Sequence, residues 1–471
     1  MVGRKNEVLR LMEALENPES EFIAVYGRRR VGKTYLIRQT YQNRFAFYHT
    51  GVARGGMEAE LEAFRDSLVE FGDEDRSVPE SWMGAFKRLN DLLERSSEGK
   101  KIVFIDEMPW MDTPRSRFLS ALEHFWNKWA SARTDIVLVI CGSATSWIVK
   151  KVIHNRGGLH NRLTGRIHVK EFTLGECEQY AEERNLGMSR GQLAEAYMIF
   201  GGVPYYWSFL RKSESLAQNV DRLIFSEDGE LSDEFDELYA SLFKRKDTYV
   251  KLVLLLADHQ EGLSRDEIVR LAHVANNGRL SSRLEELEQC GFVQKYHVIG
   301  RPTGEVVYRL VDAYTVFYRD FVQENVRKDE SFWSDNLGGG RYYDWRGHAF
   351  ERLVLRHVRQ VKAALGVSGV SAEVGCWRHA ADASCPHTVQ IDLVLDRDDR
   401  VVNLCELKYT DEPYVVTDSE MAKVRRRRTA YRTVLGTDKS LHLTAITSWG
   451  LERNMYAKEF QREIVLEDLF S

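Results

Sequence analysis

An α/β architecture, with a parallel sheet in its N-terminal part, follows from three observations on the amino-acid sequence. The apolar run Phe22-Ile-Ala-Val-Tyr26 leads through a glycine-containing loop into Tyr35-Leu-Ile-Arg-Gln-Thr40, which reads as a helix. Two further runs, Ile102-Val-Phe-Ile-Asp106 and Ile136-Val-Leu-Val-Ile-Cys141, lack polar alternation, as strands buried on both faces of a parallel sheet do. Farther on, residues 389–395 and 401–408 read as two strands joined by the polar connection Asp396-Arg-Asp-Asp-Arg400.

The loop after the first strand, Gly27-Arg28-Arg29-Arg30-Val31-Gly32-Lys33-Thr34, has the spacing of a phosphate-binding loop. Gly27 and Gly32 let backbone N–H groups curl around phosphate oxygens, and the helix N-terminus adds its positive dipole end. Arg28, Arg29, Arg30, Val31 and Tyr35 complete the expected cradle. Lys33 is expected to reach the β- and γ-phosphates and Thr34 to take a place on Mg²⁺. The second strand ends in Asp106-Glu107. Asp106 suits Mg²⁺, directly or through water, and Glu107 suits the polarising of an attacking water. At the tip of the third strand stands Ser143, with Thr145 as second choice, to touch the γ-phosphate or that water; a plain Gly-Ser turn is the alternative. Arg162 and Arg166 are candidates for neutralising transition-state charge, in cis or across a subunit boundary.

Composition bounds the rest. With 43% hydrophobic and 29% charged residues among 471, the chain is expected to fold into several domains. A net charge of −5 excludes a uniformly basic nucleic-acid binder and leaves local patches open. No apolar run is long enough for a bilayer, so no membrane partner is expected. The opening Met1-Val-Gly-Arg-Lys-Asn-Glu7 does not read as a signal peptide, and six scattered cysteines suit reduced thiols. Together these point to the cytoplasm.

Four segments are expected: a nucleotide-binding core over 1–172, a helical lid over 173–235, a winged helix-turn-helix over 236–333, and a further α/β domain over 341–471. Within the third, two helices around 263–272 and 278–287 precede a hairpin about Gly300-Arg-Pro-Thr-Gly304. Asn276, Asn277, Arg279, Ser282 and Arg283 suit phosphates or base edges, whereas Glu285, Glu286 and Glu288 favour a purely structural use. Ser334-Asp-Asn-Leu-Gly-Gly-Gly340 reads as a linker. In the last segment Glu406 and Lys408 share one face of a strand, and folding about the turn brings Asp392 opposite Glu406. Two carboxylates and a lysine suit a metal-dependent phosphodiesterase holding Mg²⁺ or Mn²⁺ on Asp392 and Glu406. The run Lys423-Val-Arg-Arg-Arg-Arg428 is either a nucleic-acid contact or a solvated face. Cys376, His379, Cys385 and His387 offer a rival zinc set in no familiar spacing.

Val2-Gly-Arg-Lys-Asn-Glu7, the phosphate loop, Phe104-Ile-Asp-Glu-Met-Pro-Trp110, Cys141-Gly-Ser143 and Gly201-Gly-Val-Pro204 follow one another as in archaeal-type P-loop ATPases of the AAA+/STAND class, which the chain resembles over most of residues 1–210. The resemblance implies ATP and ADP as the nucleotides, Gly3 and Arg4 near the base, and Pro204 against the adenine ring. Asp392-x₁₃-Glu406-x-Lys408 resembles the PD-(D/E)XK nuclease superfamily, which implies a restriction-endonuclease-like fold, Glu351 as a further acidic metal ligand, and DNA or RNA as substrate. The first motif departs from that pattern, with Gln390-Ile before Asp392 in place of Pro. Proteins of the ATPase class form rings, assemble on a trigger or act singly, so a homo-oligomer is one expectation. The expected function is an ATPase whose nucleotide state controls a metal-dependent nuclease-like domain. The alternative is a nucleotide-switched nucleic-acid-binding or regulatory ATPase with a non-cleaving nuclease fold.

Overall fold

The computed structural model describes residues 1–471 except 54, 97–98, 144, 155–156, 160, 244, 302–304, 326–328 and 384. The chain divides into two compact units, Met1–Glu171 and Phe172–Ser471.

In the first unit, strands β1 (Glu21–Tyr26), β2 (Phe47–Thr50), β3 (Lys101–Asp106), β4 (Ile136–Gly142) and β5 (Gly165–His168) form one sheet in the order β2-β3-β4-β1-β5. Every pairing is parallel. The uniformly apolar runs of β1, β3 and β4 arise because both faces are covered. Phe22, Ala24, Val103, Ile105, Leu138 and Ile140 pack into one layer with helices Gly56–Glu70 and Trp82–Arg95. Their alternates Ile23, Val25, Ile102, Phe104, Val137 and Val139 pack into the other, with helices Lys5–Glu16 and Lys33–Thr40. Successive strand residues point to opposite faces, so one sequence run serves both layers. Because all strands are parallel and β4 lies between β3 and β1, the C-terminal ends of these three strands are neighbours. Such ends are where open α/β sheets carry their ligand sites.

The second unit begins with helices Leu174–Glu183, Arg190–Phe200 and Leu216–Val220, over the segment expected to be helical. Each starts on a capping box: Thr173 with Glu176, Ser189 with Gln192, Ser215 with Gln218. Beyond them, β6 (Leu263–Ser264), helices Arg265–Ala272 and Gly278–Gln289, β7 (Val293–Val298) and β8 (Val306–Leu310) follow in order. β7 and β8 are antiparallel, and β6 pairs with β8. Residues 302–304 of the expected turn lie outside the described residues.

The stretch read as a linker is exposed over residues 335–340 and is anchored at its start by the buried residue before it. Trp333 is 1% exposed, in ring contact with Phe317, Phe321 and Trp345. The Asp221 carboxylate accepts from the backbone N–H of Trp333 at 2.8 Å and of Ser334 at 3.1 Å. Helix Gly340–Arg356 starts at once, because glycines that suggest a flexible joint serve equally well to reverse the chain between two helices. After it come β9 (Ala372–His379), β10 (Val389–Arg397), β11 (Val401–Lys408), helix Asp418–Leu435, β12 (Ser440–Thr447) and β13 (Arg462–Val465). These strands join the earlier three in one eight-stranded sheet, β13-β12-β11-β10-β9-β7-β8-β6. The junction is a short parallel pairing of β7 with β9, His297 with Gly375 and Val298 with Cys376. Among the described residues no helix is long and apolar enough to cross a membrane.

Candidate functional site

The adjoining ends of β1, β4 and β3 gather the first set of residues. Gly32 has φ 86 and precedes helix Lys33–Thr40; lacking a side chain, it leaves the first helical N–H groups uncapped. Gly27, at φ 150, passes so close to β5's exit that a Cβ there would lie 2.2 Å from the Val169 carbonyl oxygen. Arg30 also has a left-handed backbone, φ 71, which a non-glycine residue holds only when its surroundings impose it. The Lys33 ammonium, 5% exposed as a residue, donates to the carbonyls of Gly27 at 3.0 Å and Arg28 at 2.8 Å.

Arginines brace this loop from behind. Arg28 forms a buried ion pair with Glu171 at 2.6 Å. Arg4 donates to the Val31 carbonyl at 3.2 Å and the Lys170 carbonyl at 2.8 Å, and it follows Gly3 at φ 62. Arg29 is half-buried, and Tyr35 is exposed on the first helical turn.

The Thr34 hydroxyl donates to Asp106 Oδ2 at 2.6 Å, across 72 residues of sequence. Hydroxyl and carboxylate oxygens side by side are the hard donor set that Mg²⁺ prefers. Asp106 Oδ1 accepts the Glu107 N–H, and Glu107 itself is left-handed at φ 46. Its carboxylate is held by Ser143, through the backbone N–H at 3.1 Å and through the hydroxyl. β3 and β4 are paired neighbours, and that pairing brings Ser143 to Glu107. Thr145 is buried at the start of the next helix. Arg162 and Arg166 are exposed, the latter on edge strand β5.

Pro204 lies in the second unit, at the first position of the short helix Pro204–Trp207, where its fixed φ and missing N–H are tolerated. Gly202 allows a tight crossing there: its carbonyl accepts the Phe172 N–H at 2.7 Å, and a Cβ would lie 1.9 Å from the Phe172 carbonyl oxygen.

The second set converges elsewhere in that unit, on a cleft lined by Glu351, Gln390, Asp392, Glu406, Lys408 and Arg427. β10 and β11 pair Leu393 with Cys405, and continuing that register sets Asp392 across from Glu406. The β10–β9 register shifts between Ile391 and Val394, a bulge that falls on Asp392. Bulges re-aim a side chain out of a regular ladder. Glu351 comes from helix Gly340–Arg356.

Each carboxylate has a basic neighbour. Asp392 accepts from Arg309 at 3.0 Å and from Gln390 at 2.8 Å. Glu406 pairs with Arg427 at 2.5 Å and Lys408 at 3.4 Å. Glu351 lies 3.7 Å from His348, whose ring this contact raises above its ordinary pKa. Among the described residues no cluster of three or more His, Cys, Asp or Glu side chains is placed to hold a metal, here or at Cys376, His379, Cys385 and His387.

Sequence reading missed three of these groups. Gln390 was visible as a same-face neighbour two residues from Asp392. Arg427 lay in the basic run but points at Glu406. Arg309 carries no local signal, since it acts 83 residues away, through β8.

Residues 1–209 match the model of a family described as an ATPase domain predominantly from Archaea. The match extends past the five-stranded sheet and takes in Gly202-Val-Pro204. An uncharacterized protein of Methanocaldococcus jannaschii, MJECL04, is 23% identical over 431 residues, covering 90% of each chain. Among solved structures, the Walker-type ATPase PABY2304 of Pyrococcus abyssi gives a TM-score of 0.47 at 18% identity, over 68% of this chain and 96% of that one. The Aeropyrum pernix ORC2 protein, solved as ADPNP–ADP complexes, gives 0.40 at 14%, over 67% and 93%. Over residues 1–209 the chain is thus similar to an ATPase domain found predominantly in Archaea.

Proposed function

We propose that this ATPase domain binds and hydrolyses Mg-ATP, and that its nucleotide state controls a metal-dependent nuclease-like site in the second unit. The observation that carries the first part is the Thr34–Asp106 contact beside Lys33. Thr34 and Asp106 hold Mg²⁺, Lys33 turns from its two carbonyls onto the β- and γ-phosphates, and Glu107 polarises water. Ser143 positions Glu107, while Arg28, Arg29, Arg30 and Val31 shape the loop. Gly3, Arg4 and Tyr35 belong to the nucleotide's surroundings, and Arg162 or Arg166 supplies the charge-neutralising arginine.

The second part is supported by the shared cleft. Asp392 and Glu406 carry oxygen donors of the kind Mg²⁺ or Mn²⁺ takes, Glu351 lines the same cleft, and with their ion pairs opened these carboxylates would hold the metal while Lys408 would offset charge developing on a phosphodiester. Bound there, the metal supplies an activated water. The two helices and hairpin over 263–310 have the element order of a winged helix-turn-helix, which favours DNA over RNA as the strand gripped.

A second reading, a nuclease fold that binds nucleic acid without cutting, is favoured by the ion pairs. Arg309, Arg427 and Lys408 compete with a metal for Asp392 and Glu406.

Incubation with Mn²⁺ and plasmid, single-stranded DNA or RNA, with and without ATP, separates the two. Cleavage by wild type and none by Asp392→Ala or Lys408→Ala is expected. No cleavage under any condition rejects the nuclease reading and leaves the binding one. Lys33→Ala is expected to lose ATP binding, and retained binding would remove the phosphate loop from its role.

A further inference from the structure

Beside the carboxylate cleft, and sharing Glu351 with it as a wall, lies a narrower cleft lined by Gln260, Arg309, His348, Arg352 and Leu355. Its polar wall carries two guanidinium groups, from Arg309 and Arg352, beside the Glu351 carboxylate, the His348 ring and the Gln260 amide. Arg309 enters from β8 with its side chain 5% exposed. Three contacts fix it: the Glu261 carbonyl at 3.1 Å, Asp392 at 3.0 Å, and the Tyr296 ring. Arg352 follows Glu351 on the helix and donates through Nη1 to Gln260 at 2.9 Å. Its Nη2 is shielded from water and has no hydrogen-bond partner among the described residues. A buried donor left unmatched costs about 1–3 kcal/mol, more when charged, so this guanidinium is poised for an acceptor. His348, one helical turn earlier, stands at the rim.

Two guanidinium groups and an imidazole around one cleft, outnumbering the single Glu351 carboxylate, are the donor chemistry of a tetrahedral oxyanion. A carboxylate needs one fork, and the second arginine suits a group with three or more acceptor oxygens. We infer that this cleft is a phosphate subsite, taking one phosphate of a nucleic-acid strand whose neighbouring linkage lies over Asp392 and Glu406. The strand rests on the nuclease-like reading above; the phosphate chemistry does not. The two clefts are linked electrically, since Asp392 contacts Arg309 and Glu351 borders both. A divalent cation that neutralises these carboxylates removes the field opposing an anion beside them, so metal and phosphate tighten one another's binding.

The test uses the full chain saturated with a non-hydrolysable ATP analogue, so that the phosphate loop is occupied. Inorganic phosphate is titrated by calorimetry without metal, and a fluorescent single-stranded DNA by anisotropy with and without Mn²⁺. Arg352→Gln is expected to weaken phosphate at least about tenfold, roughly 1.4 kcal/mol, and to weaken DNA in parallel. Arg352→Lys, which keeps the charge, restores most of both. Mn²⁺ tightens DNA in wild type and less in Arg352→Gln. Unchanged phosphate affinity in Arg352→Gln overturns the subsite. Loss of phosphate with unchanged DNA affinity assigns the cleft to a free anion and overturns the strand. Absence of cleavage by wild type, together with the expected loss of phosphate binding in Arg352→Gln, rejects the nuclease reading and leaves the subsite standing.

Discussion

Glu107 and Glu60 are two carboxylates in the first unit with opposite circumstances. Glu107 is satisfied by Ser143 and sits on a left-handed backbone at the strand end. Glu107→Gln keeps the shape and loses the base, so it is expected to retain ATP while hydrolysis falls about 100-fold or more in single-turnover assays. Glu60 is 0% exposed and accepts the Val52 N–H at 3.0 Å, while burial pushes its pKa from 4.5 up to about 7. The folded unit therefore holds that proton more tightly than the unfolded chain. Its contribution to stability is fully present below about pH 4.5 and is lost as pH rises through about 7. Glu60→Gln is expected to raise the melting temperature by a few degrees at pH 8 and to change it little at pH 5. Equal shifts at both values would remove burial of this carboxylate as the cause. At this scale the sequence was informative where a motif fixes several residues together, as for Lys33, Thr34 and Asp106. It was silent on Arg309 and Arg352, because lone arginines are common and only the folded chain brings them beside Asp392 and Glu351.

Elements show why the phosphate loop tolerates so little change. Gly27 combines φ 150 with a carbonyl 2.2 Å from where a Cβ would sit, and that carbonyl belongs to backbone just beyond β5. Gly27→Ala must displace either the loop or the exit of β5, and nucleotide binding is expected to be lost along with several degrees of thermal stability. Wild-type ATP affinity in that variant would show that the loop accommodates the methyl. Strands β1, β3 and β4 were legible because burial on both faces writes an unbroken apolar run. β6, β9 and β13 were not singled out. β6 has two residues, while β9 and β13 place Glu373, Arg378, Arg462 and Glu463 among their apolar positions. The basic run 423–428 was legible as a charged helical stretch, but not its direction. Arg425 turns to Glu459 and Arg427 to Glu406, so part of that charge is answered within the chain.

The second unit joins the segment read as a winged helix and the segment read as a nuclease domain through one sheet, a link between strands far apart in sequence that local patterns do not encode. Residues 172–471 expressed alone are expected to be soluble and to melt as one transition. A fragment of 340–471 leaves the edge of β9 bare and is expected to aggregate, as measured by light scattering. A soluble, monomeric 340–471 would show that the sheet can be divided there. The place to divide it is marked. β11 and β12 share eight residue pairs, from Val401 with Ser440 to Lys408 with Thr447, whereas β7 and β9 share two. At one of those two rungs a Cβ on Gly375 would lie 2.3 Å from the His297 carbonyl oxygen. Like a perforated line in a sheet of paper, the β7–β9 seam decides where the fold tears under load, and a single methyl at Gly375 is the wedge that starts it.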